Sequence, residues 1–194
     1  ETGMSLIDED EALIAAALNG SAYAWEKLVK RYESKIYNHG LRLMGNRSDA
    51  MDLLQEVFLG VYRNLHRFRG DAKFSSWIFR IAHNKAIDLS RRKRLLTGYP
   101  VAVEEDDDPF EGMPAELSEE PDVKLMQSQQ NNRTLALLTQ LPVEQKLIVE
   151  LKIFQSMTFE EIADMQDISE NTAKTRFYTA LKKLKSATEE KHAL

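Results

Sequence analysis

Apolar residues recur three and four positions apart along most of the chain, whereas the alternation typical of β-strands is not sustained anywhere. This periodicity predicts an all-α fold. The predicted helices cover residues 8–18, 22–44, 49–65 and 75–94, and helices resume near residue 122. Ser48 is the expected N-cap of the third helix, and residues 68–73 are expected to form a loop.

The composition changes in the middle of the chain. Residues 104–122 contain 10 Asp and Glu but no Lys or Arg, and Pro109, Pro114 and Pro121 interrupt this stretch. Like charges and prolines keep such a segment extended and flexible. We therefore predict two small helical domains, residues 5–96 and 122–192, joined by a flexible acidic linker over residues 97–121.

The net charge of -5 conceals a basic domain. Residues 22–96 hold 16 Lys and Arg against 7 Asp and Glu, a net charge of +9, which favours an anionic partner such as nucleic acid. The sequence contains no run of about 18 apolar residues, so no transmembrane helix is predicted. Cysteine is absent and the 4 histidines lack metal-ligand spacing, so neither a metal site nor a cofactor is predicted.

A helix-turn-helix is predicted after the Leu141-Pro142 break and a helix over residues 143–155. Thr158 and Glu161 have capping-box spacing, and Ser169 is the expected N-cap of the second helix. One face of that helix is predicted to be core: Ala173, Phe177, Ala180, Leu181 and Leu184. The opposite face offers donors to phosphates and base edges: Asn171, Lys174, Thr175, Tyr178, Lys182 and Lys185. An ordinary amphipathic helix with a solvated basic face fits the same pattern.

Aromatic and cationic residues alternate over residues 66–94. Aromatic faces accept unstacked bases and cations follow a phosphate backbone, although Phe68, Phe74, Trp77 and Phe79 also suit a helical core. The run 91–94 has four adjacent cations, which gain little from burial. In the preceding helix the predicted core residues are Leu54, Val57, Phe58, Val61 and Leu65. Leu59 lies among acidic residues on the other face of this helix. It is either part of a partner-binding surface or an ordinary exposed leucine, which needs no functional explanation.

Two blocks of the sequence resemble a known family. Residues 49–94 (DAMDLLQEVFLG… to …LSRRKR) resemble region 2 of bacterial sigma-70-family factors of the extracytoplasmic-function group, and residues 141–185 (LPVEQKLIVELK… to …TALKKLK) resemble their region 4. Both blocks stand in the family's order with a short linker between them. The resemblance implies a promoter-specificity subunit that binds core RNA polymerase, recognises the −35 element as duplex and the −10 element as melted strand, and is not an enzyme.

The resemblance also implies roles for individual residues. The surface that docks the clamp helices of the polymerase β′ subunit would comprise Asp49, Asp52, Gln55, Glu56 and Leu59. The −10 strand, with a flipped base at the loop 68–73, would be held by Phe68, Arg69, Lys73, Trp77, Arg80, Asn84, Arg91, Arg92 and Arg94. The −35 duplex would be read by Asn171, Thr172, Lys174, Thr175, Arg176, Tyr178 and Lys182. Thr179 and Leu181 stand where many relatives have arginine, so we expect fewer bidentate guanine contacts.

The resemblance implies three partners: core RNA polymerase, promoter DNA and an anti-sigma factor. The contacts with core polymerase would be made through the β′ clamp helices and the β flap. No small-molecule substrate is implied. The expected location is the cytoplasm, or the inner membrane when an anti-sigma factor holds the protein there. Two other classes compete with this reading. A stand-alone helix-turn-helix repressor or activator would need dimerisation and sensor elements. A hydrolase would need converging acids, which Glu160-Glu161 and Glu104-Glu105 do not supply.

Overall fold

The computed structural model describes residues 6–97 and 133–192, and within these two ranges all regular structure is helical. The N-terminal module contains α1 (Leu6–Leu18), α2 (Ala22–Met44), α3 (Arg47–Asn64) and α4 (Phe74–Thr97), with a 3₁₀ turn at Leu65–Arg67. The C-terminal module contains α5 (residues 133–138), α6 (Val143–Val149), α7 (Phe159–Gln166) and α8 (Glu170–His192), with a π-helical turn at Glu150–Phe154 after α6. The all-α prediction is confirmed; the predicted acidic linker and the helix start near Asp122 lie outside the described residues, apart from Thr97.

Capping side chains set the limits of α2 and α3. The Ser21 side chain accepts a hydrogen bond from the Ala24 amide at 3.2 Å, and Gly45 ends α2 at φ 79°, a left-handed conformation that glycine adopts without steric cost. The prediction that Ser48 caps α3 is wrong. The cap is Asn46, whose extended backbone lets its side-chain oxygen accept the Asp49 amide at 2.9 Å. Asn is as good a cap as Ser, and it comes first after the Gly45 turn.

The core of the N-terminal module lies where α2 crosses α3. A Cβ on Gly40 would lie 3.1 Å from the Ala50 Cα, so glycine allows this close approach. Because α2 packs on this side, Leu53 is fully buried, although the sequence pattern did not select it. Among the predicted core residues of α3, Val57, Val61 and Leu65 are buried, whereas Leu54 and Phe58 are half-buried.

The C-terminal module is built around α6 and α8. Leu147, Ile148 and Ile162 are buried, as are the predicted core residues of α8, Ala173, Phe177 and Ala180. Leu181 and Leu184 are half-buried. Both predicted caps are confirmed: Thr158 and Glu161 form a capping box, and the Thr172 amide donates to the Ser169 hydroxyl at 3.1 Å. The turn between α7 and α8 begins at Asp167 in the left-handed conformation, so the predicted helix-turn-helix is present.

The two modules contact each other. Leu135 of α5 is buried against Leu41 and Ala50 of the N-terminal module. The carboxylate of Glu150, at the end of α6, lies within hydrogen-bonding distance of His39 and Arg42 on α2. The helices of both modules therefore form one packed arrangement.

Candidate nucleic-acid and partner interfaces

The residues expected to dock a partner share one face of α3, because they recur at three- and four-residue spacing. We call this set the docking face: Asp49, Asp52, Gln55, Glu56 and Leu59. Asp52, Gln55 and Leu59 are exposed, and Leu59 retains 48 % of its accessible surface.

Two acids of the docking face are bound within the molecule. Lys93 of α4 forms an ion pair with Asp49, which also accepts a hydrogen bond from the Asn46 side chain. Lys85 lies 3.2 Å from the Glu56 carboxylate. The partly neutralised side of the face therefore holds α3 against α4, whereas the side with Asp52, Gln55 and Leu59 stays exposed.

An aromatic cluster supports the loop predicted to capture a base. Ring centroids of Phe68, Phe74 and Trp77 lie 5.4 to 5.6 Å from one another. Phe74 is buried beneath the other two, which are half-buried, and its ring meets Tyr32 of α2 edge-on at 5.3 Å. The aromatic residues thus serve the core and the surface together, since Phe68 and Trp77 each keep part of a ring accessible.

Cations and polar groups continue from this cluster along α4. Trp77, Arg80, Asn84 and Arg91 recur at spacings of three, four and seven residues, so they share one face of the helix. The remaining residues predicted for the −10 strand are also exposed: Arg69, Lys73, Arg92 and Arg94. Of the basic run 91–94, only Lys93 is half-buried, through its pair with Asp49.

The second helix of the helix-turn-helix presents a polar stripe. Its members lie on the side of α8 opposite the core residues: Asn171, Lys174, Thr175, Tyr178 and Lys182. Tyr178 keeps 60 % of its surface exposed, and Lys174 forms an i,i+4 pair with Glu170 at 2.6 Å. These groups can reach a groove without any change in the core.

Two residues predicted for the −35 duplex lie off this stripe. Thr172 takes part in the N-cap, since its hydroxyl is 2.8 Å from the Ser169 hydroxyl. Arg176 follows Lys174 by two residues, about 200° around the helix, and is half-buried. The helix geometry thus groups five of the seven predicted residues and separates these two.

One histidine of α4, His83, is buried. Burial lowers the pKa of His83 to about 4, and the nearby charges of His39 and Arg80 act in the same direction. The imidazole is therefore neutral at neutral pH. Within residues 6–97 and 133–192, no group of three or more His, Cys, Asp or Glu side chains could hold a metal ion, and none of the described helices has the length and apolarity to cross a membrane.

Comparison with known proteins identifies both modules. Residues 28–95 match the model of Sigma-70 region 2, and residues 132–184 match that of Sigma-70, region 4. The RNA polymerase sigma-H factor of Pseudomonas aeruginosa is 30 % identical over 175 residues, which cover 89 % of this chain and 90 % of that protein. The chain belongs to the sigma-70 family. The extracytoplasmic-function (ECF) RNA polymerase sigma-E factor of Escherichia coli is 27 % identical over 173 residues, covering 88 % and 90 % of the two chains.

The fold of this sigma factor also has a solved counterpart. The structure of CnrH in complex with the cytosolic domain of CnrY superposes with a TM-score of 0.64 at 23 % identity, covering 94 % of this chain and 99 % of that one. The sequence-based identification of an extracytoplasmic-function sigma factor is confirmed. Promoter selection for RNA polymerase is therefore the function of this chain, and the stand-alone regulator is not favoured.

The sequence did not reveal an apolar groove beside the docking face of the sigma factor. Trp25 and Val29 of α2 form one wall, and Phe58, Leu59 and Tyr62 of α3 form the other, around a cavity of about 420 Å³. The Trp25 ring meets Phe58 at 6.4 Å and Tyr62 at 5.3 Å. The signal available in the sequence was Tyr62, one turn beyond Leu59, but its pairing with Trp25 depends on how α2 packs against α3.

Proposed function

We propose that this sigma factor uses three separate surfaces: the docking face of α3 for core polymerase, the loop 68–73 with α4 for the melted −10 strand, and α8 for the −35 duplex. The observation that carries the proposal is that the N-terminal module bears two chemically different exposed surfaces. The one on α3 is acidic and apolar, and the one on α4 is cationic and aromatic. A regulator that only binds DNA would need the second alone.

The docking face suits a protein partner. Leu59 is exposed beside the groove of Trp25, Phe58 and Tyr62. Asp52, which is exposed on the same face of α3, supplies a negative charge. Aromatic residues beside an apolar cleft are typical binding hot spots, and a negative rim selects a basic partner surface. We assign this surface to the clamp helices of the β′ subunit. The β flap remains the expected second contact on core polymerase.

The −10 assignment follows from the chemistry of single strands. Phe68 and Trp77 offer ring faces for unstacked bases, and Arg80, Asn84 and Arg91 follow along α4. Stacking on an aromatic side chain contributes roughly 1–3 kcal/mol per base, which offsets the few kcal/mol of unstacking. The exposed cations Arg69, Lys73, Arg92 and Arg94 would hold the adjacent phosphates.

The −35 assignment follows from the stripe on α8. Asn171 and Tyr178 can donate to base edges, whereas Lys174 and Lys182 are placed for phosphates. Thr172 and Arg176 lie off this stripe, and we assign them to the phosphates of the adjacent DNA backbone. Because the stripe itself contains no arginine, we expect DNA shape to contribute more than bidentate guanine contacts.

An anti-sigma factor is the further partner that we propose. CnrH, which shares this fold, has been solved in complex with the cytosolic domain of CnrY. The exposed groove beside Leu59 is a suitable place for a competing protein, because a partner seated there would exclude core polymerase. We place the sigma factor in the cytoplasm, where core polymerase acts, or at the inner membrane when such a partner holds it.

Run-off transcription tests the proposal. Purified bacterial core polymerase would transcribe a promoter library randomised at −35 and −10, with and without the sigma factor. We expect initiation only at templates whose −35 and −10 elements are separated by one fixed distance. The Leu59→Arg variant should direct no initiation at these templates. If the protein bound duplex DNA tightly by itself and directed no initiation on any template, the stand-alone regulator would replace this proposal.

A further inference from the structure

One carboxylate of the C-terminal module is buried against the N-terminal module. Glu150 is 1 % exposed and lies 111 residues from His39 and 108 residues from Arg42 along the chain. An ionised group in such a place is unfavourable unless charged or polar partners surround it. The contacts of Glu150 therefore report on how the two modules are held together.

The partners of Glu150 come mainly from α2. Arg42 binds both carboxylate oxygens, with Nε 2.5 Å from Oε2 and Nη2 2.8 Å from Oε1, and His39 Nδ1 lies 3.1 Å from Oε1. Gln155 of the same module donates to Oε1 at 3.1 Å. Burial alone would raise the pKa of Glu150, but the hydrogen bonds from His39 and Arg42 outweigh it and hold the pKa below its ordinary 4.5. The carboxylate is thus ionised and satisfied at neutral pH.

Other contacts surround this ion cluster. The Arg42 guanidinium lies 4.1 Å from the centre of the Phe154 ring, and the His39 ring meets Phe79 of α4 edge-on at 5.3 Å. A cavity of about 500 Å³ runs beside the cluster between the modules, and Lys35 and Gln155 are among its lining residues. The contact is therefore incomplete on one side, unlike a fully packed core.

The same contact reaches the surface proposed for the −10 strand. Arg80 Nη2 donates to the backbone carbonyl of Asp164, in α7, at 2.9 Å. Lys73 and Ser76, near the start of α4, line the cavity between the modules. A phosphate that approaches this part of α4 must compete with the C-terminal module for Arg80 and for the space beside it.

We propose that Glu150, His39 and Arg42 form a latch that holds the C-terminal module over part of the −10 surface in the free protein. Promoter binding then requires release of the latch. The 35 residues from 98 to 132 could span at most about 120 Å when fully extended, so the connection does not prevent separation. The consequence for promoter binding rests on the proposed function, whereas the latch itself rests only on the contacts between the modules.

A buried ion pair suits a releasable contact. Such a pair contributes little beyond a well-packed apolar contact when all partners are in place, but removal of one partner leaves the other charge buried and unpaired. The modules should thus close in one geometry and open readily when either Glu150 or Arg42 is changed.

Energy transfer between the modules tests the latch. The chain has no cysteine, so Ser34→Cys on α2 and Lys183→Cys on α8, both exposed, can carry a donor and an acceptor dye. We expect high transfer in the otherwise unchanged protein. Glu150→Gln and, independently, Arg42→Met should each raise the ratio of open to closed molecules by at least about tenfold.

Arg31→Met is the matched control. Arg31 lies on the same helix and binds two carboxylates, Asp10 at 2.7 Å and Glu9 at 2.5 Å, but both belong to its own module. This control should leave the transfer unchanged. Arg42→Met tests the latch from the N-terminal side, so a folding defect of Glu150→Gln in the C-terminal module does not remove the test. Unchanged transfer in both latch variants would overturn the latch.

Binding of a fluorescent −10 single strand to the free protein gives the second measurement. Both latch variants should bind it more tightly, by up to the factor by which opening increases. Once assembled with core polymerase they should initiate at the rate of the original protein. A fall in transfer without tighter strand binding would refute the covering of the −10 surface. Failure of the proposed function would look different, since the original protein would then direct no run-off transcript.

Discussion

The two modules present their proposed DNA-binding residues in different ways. In the N-terminal module, Phe68 and Trp77 pack on the buried ring of Phe74, so the same side chains form the site and the edge of the core. In the C-terminal module, Asn171 and Lys182 project from a face of α8 that the core does not use. Tyr178 is 60 % exposed, although its ring also meets Phe159 and Phe177 at 6.2 and 5.4 Å. Capture of a melted strand needs aromatic planes held rigidly, whereas duplex reading needs polar groups that reach outward. Function and stability should therefore be coupled more tightly in the first module than in the second.

The largest effect is expected from Trp77→Ala. Loss of a half-buried ring from the aromatic cluster should lower the free energy of unfolding by about 2–3 kcal/mol and weaken binding of the −10 strand. Tyr178→Ala removes a ring of α8 that is 60 % exposed and meets only the edges of the core through Phe159 and Phe177, so it should lower the free energy of unfolding by only about 1 kcal/mol. Urea unfolding of both variants measures this contrast. Equal stabilities would show that site and core are not shared in the N-terminal module.

Acid should destabilise the N-terminal module through His83. Its folded pKa of about 4 lies below the ordinary 6.5, so the unfolded chain takes up a proton first as the pH falls. Stability is retained above pH 6.5 and lost progressively towards pH 4, by about 2 kcal/mol between pH 7 and pH 5. Denaturant unfolding at several pH values should show this slope, and His83→Phe should flatten it. His66→Gln, at an exposed position, should leave the slope intact; if it too flattened the slope, burial of His83 would not be the cause.

Substitutions on the docking face, like those on the exposed stripe of α8, should weaken binding with little effect on stability. This is expected although the docking face belongs to the N-terminal module. Leu59→Arg and Asp52→Arg should each weaken binding to core polymerase at least about tenfold, because they place a cation on the acidic and apolar surface. Stability should stay within about 0.5 kcal/mol of the original. Leu18→Arg is the control, since Leu18 has the same exposed fraction of 48 % and lies on α1. Unchanged polymerase binding by both docking variants, in a fluorescence titration, would refute the assignment.

The smallest effect is expected from Lys174→Ala. Removal of one phosphate contact should weaken −35 duplex binding a few-fold and leave the fold unchanged. The slope of the logarithm of the binding constant against the logarithm of the salt concentration should become shallower by about one. Lys183→Ala removes the same charge from another flank of α8 and should not change the slope. Filter binding at several salt concentrations distinguishes the two variants. An equal loss for both would mean that α8 acts only through its total charge.

Features that depend on neighbours in sequence could be predicted. The limits of α2, the capping box at Thr158, the Ser169 cap and the buried face of α8 all follow from side chains within one or two turns. The shared face of the docking residues follows from helical spacing in the same way.

Features that depend on distant segments could not be predicted. Leu53 is buried because Gly40 brings α2 close to Ala50, and Trp25 joins the groove only through the same packing. Glu150 stands between Val149 and Leu151 in an apolar stretch, which marks it as unusual without identifying partners more than 100 residues away. The Asn46 cap was a local feature that the choice of Ser48 missed.

Holoenzyme binding to two half-promoter probes tests the division of labour most directly. One probe carries the −10 element as a single strand without −35, and the other carries the −35 duplex alone. Trp77→Ala should lose affinity for the first probe and keep it for the second, whereas Lys174→Ala should do the reverse. If each variant lost affinity for both probes equally, the assignment of melted-strand capture to the N-terminal module and duplex reading to the C-terminal module would be contradicted.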